Sequence, residues 1–340
     1  MNVGILGLAH GHTQMYCTQW REHPEWGVCV TAVWDHDVER ASKGGAEGVK
    51  VCTSPAELLA MVDAVVITAE TSMHDELVQL AAAAGKPVVL QKPLSLTIEQ
   101  ADRMVSTIER SGIPFTLAWQ MRTDPENIMI KDMFAGGTLG KIFMVRRRHG
   151  LSTHLWAGFD NSWHVKPQYN LDIWADDAAH PADFIYWLLG MPESVTAEIG
   201  SFLNPKIPSD NGVAIFRYPG GPIAEINCSF TCIAGDNTTE ITGEKGSLIQ
   251  NHGDGPGTSV PRLPGSTSLK WFIQGSAGWT VYDGRTLANQ GERISGLAKP
   301  LADFLNGRRP PIGTVREGRD VLRMILASRE SSRLGVRIRL

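Results

Sequence analysis

Five short apolar runs, at residues 3–6, 29–34, 64–69, 87–90 and 115–119, punctuate the first part of this 340-residue chain, and helix-like segments alternate with them. Few folds accept that alternation. Parallel strands need a crossover, the crossover helices pack on the sheet, and strands covered on both faces read as unbroken apolar runs. The expectation is a doubly wound parallel sheet. Helix boundaries agree with it. Ser54-Pro55-Ala56-Glu57 supplies an N-cap, a proline at the first helical position and a capping-box glutamate. Thr97 with Gln100 opens a long helix that Gly112 closes, and residues 72–75 precede a helix stopped by Gly85 and Pro87.

Past residue 122 the pattern changes. A helix-like piece at 124–134 is followed by β-type runs at 141–148, 195–202, 213–218, 223–230, 238–242, 247–250 and 269–273, and on to 279–282. An apolar helix at 184–189 interrupts them, and helical spacing returns at 297–305 and 316–334. Strands that mostly follow one another predict an α+β domain with an open, mainly antiparallel sheet. The expected domains are 1–122 and 123–340, with the last helix, 314–334, opened by Thr314 and Glu317, packing back. Residues 253–268, rich in Gly, Pro and Ser, read as loop. An open sheet leaves a face to cover, so a homodimer or homotetramer is expected.

Composition narrows the function. With 42% hydrophobic and 20% charged residues the chain is an ordinary globular protein, and a net charge of −4 offers no field for nucleic acid. The one basic run, Arg146-Arg147-Arg148, reads as a solvated strand face or an interface. Cys17, Cys29, Cys52, Cys228 and Cys232 are odd in number and scattered, which reads as reduced thiols in a cytoplasmic protein. No charged n-region and no membrane-length apolar stretch is present in the sequence, so no membrane role is expected.

Four places can carry chemistry. The first is the turn from Gly7 through Ala9, His10, Gly11 and His12, where small residues let backbone N–H groups approach an anion at the start of a helix. A strict G-x-G-x-x-G is not met, since Ala9 and His12 fall at the second and third positions. The second is Asp35, at the end of the second strand and 24 residues after Gly11. It suits the adenosine ribose of NAD and repels the 2′-phosphate of NADP, or else it caps the next helix. The third is Lys92, between the fourth strand and Pro93, at the carboxyl edge where ligands bind in open α/β sheets. The fourth is Asp176 with His180, an oriented acid–base pair if both share a helix face, or a cap and a buried histidine if Pro181 breaks that relation. Upstream, His149, His154 and His164 accompany Trp156, Trp163 and Trp174, side chains that suit a polar pocket for sugar rings or core packing. Their spacing matches no metal motif, and no metal is expected.

Together these stretches resemble the Gfo/Idh/MocA oxidoreductases, the family of glucose–fructose oxidoreductase and inositol dehydrogenase. The resemblance runs from the first strand and Asp35 through Asp63-Ala64-Val65-Val66-Ile67-Thr68 with His74, Ala84-Gly85-Lys86-Pro87-Val88 and Gln91-Lys92-Pro93. It continues with Arg122 and Pro125, Gly137 with Leu139-Gly140-Lys141-Ile142, His180 with Asp183, residues 243–248 and the final helix. It implies a Rossmann domain that binds NAD, with NADP disfavoured, through Gly7, Ala9, His10, Gly11, His12, Asp35, Thr68, Ala69, His74, Gln91 and Lys92. It implies catalysis by Lys92, Asp176 and His180, and substrate contacts from these three with Gln120, Arg122, His154 and Trp163. The implied activity is hydride transfer between nicotinamide and a sugar, inositol or related polyol. Alternatives are a lyase or glycosidase with transient oxidation, and a non-catalytic sensor. Departures from the pattern are Ala9, Glu70 in place of a proline, Gln91 in place of a glutamate, and Leu171-Asp172 in place of a glycine pair.

Overall fold

The computed structural model describes residues 1–44, 48–203, 205–235, 237–251 and 265–340, and it divides into two compact units. Residues 253–264 of the expected loop lie outside the described residues. The first unit comprises residues 1–123, 168–170 and 291–322, and the second 124–167, 171–290 and 323–340.

The first unit is the expected Rossmann domain. Its strands are β1 (Asn2–Leu6), β2 (Cys29–Trp34), β3 (Lys50–Val51), β4 (Ala64–Ile67), β5 (Val88–Leu90) and β6 (Phe115–Leu117), in the order β3-β2-β1-β4-β5-β6. Every pairing is parallel. Strand order reverses between β1 and β4, which makes the carboxyl ends of those strands the ligand side. The crossovers carry α1 (His12–Glu22), α2 (Val38–Gly44), α3 (Pro55–Leu59), α4 (His74–Ala83) and α5 (Ile98–Ser111). Thr97 and Gln100 close a full capping box on α5, and the Ser54 hydroxyl accepts from Glu57 N. Two elements had no sequence signal. β3 is two exposed residues without an apolar run, and the short α2 buries only Ala41.

The second unit holds α6 (Pro125–Ala135), β7 (Ile142–Gly150), α8 (Ile173–Asp177) and α9 (Ala179–Leu189), the short α7 (Pro167–Asn170) straddling the division. The strands β8 (Ser194–Gly200), β9 (Asn211–Arg217), β10 (Ile223–Ser229), β11 (Asn237–Gly243), β12 (Gly246–Gln250), β13 (Leu269–Ile273) and β14 (Thr280–Val281) follow. Next come α10 (Gln290–Gly296), α11 (Ala298–Leu305), α12 (Val315–Leu334) and β15 (Ile338–Arg339). Nine strands pair in the order β14-β13-β12-β11-β7-β10-β9-β8-β15, antiparallel except for β7 with β10. The sheet is open and mainly antiparallel, as expected.

Residues 291–322 join the first unit. Trp20 Nε1 of α1 donates to Ala298 O (2.8 Å), and Leu117 N of β6 donates to Gly313 O (2.8 Å), so chain from the far end completes the edge of the parallel sheet. The basic run needs a correction. Strand side chains alternate between faces, so Arg146 and Arg148 are exposed while Arg147 is 2% exposed, with its guanidinium 4.4 Å from the Phe184 ring centroid and bonded to Gln250 and Thr239. Arg147 is a core residue. No helix among the described residues is long and apolar enough to cross a membrane.

Candidate functional site

The β1–α1 turn is built around Gly7. Its φ is +81°, and a Cβ there would stand 2.3 Å from Ala69 Cα, so only glycine fits. Thr68 Oγ1 donates to Gly7 O (2.5 Å) and His10 N to Thr68 O (3.0 Å), which ties the turn to the end of β4. Helix α1 begins after Gly11 with no side-chain cap and no acidic residue in its first turn. Its amino end carries the partial positive charge that suits a dinucleotide pyrophosphate, with His12 N also reaching His10 Nδ1 (3.4 Å). Gly11 has an ordinary φ of −59° and open space around a Cβ. These residues fit NAD, with Ala9, His10 and His12 at the same turn.

At the end of β2, Asp35 is not the helix cap. Asp37 caps α2, its Oδ1 accepting from Glu39 N (3.0 Å) and Arg40 N (3.1 Å). The Asp35 carboxylate is fully buried and takes four bonds: from Leu8 N (2.6 Å) and Arg40 Nε (2.7 Å) on Oδ2, and from Asp37 N (2.8 Å) and Arg40 Nη2 (2.8 Å) on Oδ1. Arg40 Nη2 also donates to Glu70 Oε1 (2.8 Å). Sequence reading missed Arg40. Its signal was faint: a cation five residues past an acid, in a helix that is itself hard to see.

Around β5 the buried residues join loops. Gln91 Nε2 donates to Tyr16 OH (3.2 Å) and reaches His12 Nδ1 (3.2 Å), while its Oε1 accepts from Lys92 N (3.0 Å). The amide that replaces the family glutamate thus fixes α1 against the β5 turn. Lys92 is 2% exposed, and its bond to Pro93 is cis. His74, expected at the cofactor, sits between backbone carbonyls, Nδ1 2.9 Å from Pro93 O and Nε2 3.2 Å from Ala69 O, and so ties the ends of β4 and β5. Arg122, expected at the substrate, directs Nη1 to Ile312 O (3.1 Å) and Glu317 Oε1 (2.7 Å), anchoring the start of α12. Gln120 beside it is buried.

In the second unit α8 is capped by Asp172, whose Oδ1 accepts from Ala175 N (2.8 Å) and whose Oδ2 takes bonds from Arg329 (2.8 Å) and Ser209 (3.0 Å). Asp176 is therefore not the cap of α8. Its side chain is 1% exposed, and its Oδ2 lies 2.6 Å from His164 Nδ1. A new helix, α9, begins at Ala179, so Asp176 and His180 stand on successive helices and not at i,i+4 of one; Pro181 takes a first-turn place in α9. His180 Nε2 is 3.8 Å from Asp177 Oδ1, and its ring lies 5.5 Å from that of His149. Trp163 stacks on His164 at 3.9 Å, with Phe159 on the same imidazole at 5.7 Å. His154 Nδ1 is buried without a hydrogen-bond partner among the described residues. His164, expected only as pocket lining, lies twelve residues from Asp176 and gives no periodic signal.

Comparison with known proteins agrees with the fold. Residues 1–118 match the model described as oxidoreductase family, NAD-binding Rossmann fold, and residues 128–249 match the GFO/IDH/MocA C-terminal domain. An inositol 2-dehydrogenase of Saccharopolyspora erythraea is 31% identical over 262 residues, 73% of this chain and 72% of that protein. The chain belongs to the Gfo/Idh/MocA oxidoreductase family. This Gfo/Idh/MocA protein is an NAD-dependent oxidoreductase. A myo-inositol dehydrogenase of Streptomyces leeuwenhoekii is 26% identical, with 92% and 91% of the two chains covered. The fold is that of a levoglucosan dehydrogenase solved with NADH and levoglucosan (TM-score 0.82, 18% identity, 100% of this chain and 99% of that one). A Bordetella pertussis dehydrogenase solved with NADH and UDP-GlcNAcA gives a TM-score of 0.79 at 22% identity, with 99% and 98% covered.

Proposed function

We propose that this Gfo/Idh/MocA protein oxidises a secondary hydroxyl of a sugar, an inositol or a related polyol to the carbonyl. The observation that carries the reading is the buried carboxylate of Asp176 held at 2.6 Å by one imidazole and followed, at the start of the next helix, by a second, His180. An ionised carboxylate this buried orients and stabilises an imidazolium nearby. His180 takes the hydroxyl proton as the carbon gives up its hydride. Lys92, an ammonium on a buried stem, holds the substrate oxygen. Bound NAD supplies the hydride acceptor. The turn of Gly7, Ala9, His10, Gly11 and His12 receives its phosphates, with Thr68 and Ala69 beside them and His74 and Gln91 fixing the loops. His154, with its open Nδ1, and Trp163 contact the substrate.

The inositol and sugar dehydrogenases among its relatives support the substrate class. The same reading makes the protein a homodimer or homotetramer. One face of the nine-stranded sheet is covered by α6 and α9, whereas the other exposes Met144, Arg146 and Ile215, a surface that suits a second copy of this chain.

A polyol and sugar panel with NAD⁺ tests the activity. NADH accumulates in step with oxidised substrate, and Lys92→Ala and His180→Ala each lower kcat by about 10²–10⁴-fold. Substrate consumed without NADH would replace this reading with a transient-oxidation lyase, and binding without turnover would replace it with a sensor.

A further inference from the structure

A carboxylate at the end of the second strand meets the adenosine ribose in NAD-binding Rossmann domains, and an arginine nearby accommodates the 2′-phosphate of NADP. This chain has both, in contact. Asp35 offers about four lone-pair positions, and all four are taken, two by Arg40 and two by backbone N–H groups. The backbone donors belong to the turn and stay. A ribose hydroxyl therefore reaches Asp35 only where Arg40 withdraws, and Arg40 already has somewhere to go. Its Nη2 bonds Glu70 Oε1 at 2.8 Å, and the Glu70 side chain is 4% exposed. Glu70 follows β4 and Asp35 follows β2, so the guanidinium spans the two loops that flank β1 at the reversal of the sheet.

We propose that Glu70 determines dinucleotide choice by retaining Arg40 inside the protein, so that the guanidinium is withheld from a 2′-phosphate while Asp35 is released to the ribose hydroxyls. The charges argue the same way. Two buried carboxylates face one guanidinium, an excess of one negative charge; the His36 Nδ1 lies 3.4 Å from Asp35 and 3.6 Å from Glu70, and the exposed Asp37, which feels the charges of both Arg40 and His36, adds to the negative side. A 2′-phosphate brought there meets a net negative site and an arginine already bonded to two acids. Burial disfavours the charged form of Arg40, yet its bonds to Asp35 and Glu70 outweigh that and hold it charged. Glu70 stands where the family pattern has a proline, which can neither hold nor balance an arginine. The charge on Glu70, more than its shape, is the discriminating feature.

The proposal rests on dinucleotide binding by this domain, and the test separates the two. Calorimetric titration of the full chain with NAD⁺ and NADP⁺ compares wild type, Glu70→Gln, Arg40→Ala and the double variant. Glu70→Gln keeps an acceptor for Arg40 and removes the charge. The expected result is a shift in the ratio of the two Kd values toward NADP⁺ by about tenfold or more, abolished when Arg40→Ala is added. An unchanged ratio, an equal weakening of both cofactors, or a shift that survives without Arg40 overturns the role of Glu70 while leaving the cofactor site standing. Wild-type protein that binds neither dinucleotide overturns the site itself, and the proposal with it.

Discussion

His164 Nδ1 stands 2.6 Å from Oδ2 of Asp176, and this bond joins a short helical turn at Trp163–Val165 to the end of α8. A carboxylate only 1% exposed needs such a partner, because an ionised group out of water is costly unless it is hydrogen-bonded. His164 thus positions Asp176 and, through it, the acid–base chemistry proposed for the site. His164→Ala is expected to lower kcat by about 10–100-fold. KM is expected to move much less, and His164→Asn, whose amide can donate to Asp176, recovers part of the loss. Steady-state kinetics decides. A fall in kcat/KM that comes wholly from KM would show that His164 contacts substrate and does not position Asp176.

The two glycines of the first turn are expected to behave differently. At Gly7 a methyl group would collide with the Ala69 backbone, and its φ of +81° disfavours any L side chain. Overpacking and left-handed backbone together cost about 2–4 kcal/mol, so Gly7→Ala lowers the denaturation midpoint and abolishes NAD⁺ binding. Gly11→Ala, with φ −59° and nothing within 4 Å of the new Cβ, leaves both intact. Equal losses in the two variants would mean that the turn reads glycine at Gly11 for contact with the cofactor and not for backbone shape.

Much of this was legible in the sequence, and for identifiable reasons. The parallel sheet announced itself because buried strands such as Ala64–Ile67 are uninterrupted apolar runs, and α5 because its capping box is local. Candidate site residues were legible as far as they lie at local spacings. What escaped depends on register and on long loops. Arg147 looked like its two arginine neighbours until alternation along β7 turned it into the core. Asp35 looked free for ribose because its competitor sits on a seven-residue helix, and residues 291–322 join the first unit through contacts such as Trp20 with Ala298, 278 residues apart. Neither of the last two has a period.

Leu171 has φ +62° and ψ −84°, a conformation that a branched side chain reaches only under strain. It stands just before Asp172, the cap of α8, at the place where the family pattern has glycines. The strain is worth about 1–3 kcal/mol. Leu171→Gly therefore costs less than about 1 kcal/mol, relief of strain offsetting the flexibility glycine adds to the unfolded chain. Leu171→Val, β-branched, is expected to cost about 1–3 kcal/mol beyond the loss of its volume. Denaturant midpoints compare the two, and a glycine variant clearly less stable than the valine one would sink the argument.

Arg122 and Glu317 form an ion pair at 2.7 Å within the first unit, with Arg122 Nη1 also on Ile312 O. Burial pushes the Glu317 carboxyl up, but the Arg122 charge and the hydrogen bonds from Thr314 and Arg122 outweigh it, and its pKa lies below the usual value. A carboxyl depressed in the folded state stabilises fully above its unfolded pKa of about 4.3, and that contribution drains away as pH falls through the lower folded value. Glu317→Gln keeps the side-chain shape and removes the charge, at a cost of about 1–2 kcal/mol near neutral pH. Chemical denaturation of both proteins between about pH 3 and pH 7 measures the gap, which is expected to be largest at neutrality and to close on acidification. A gap that stays constant or widens toward acid would mean that Glu317 is held by packing and not by the Arg122 charge.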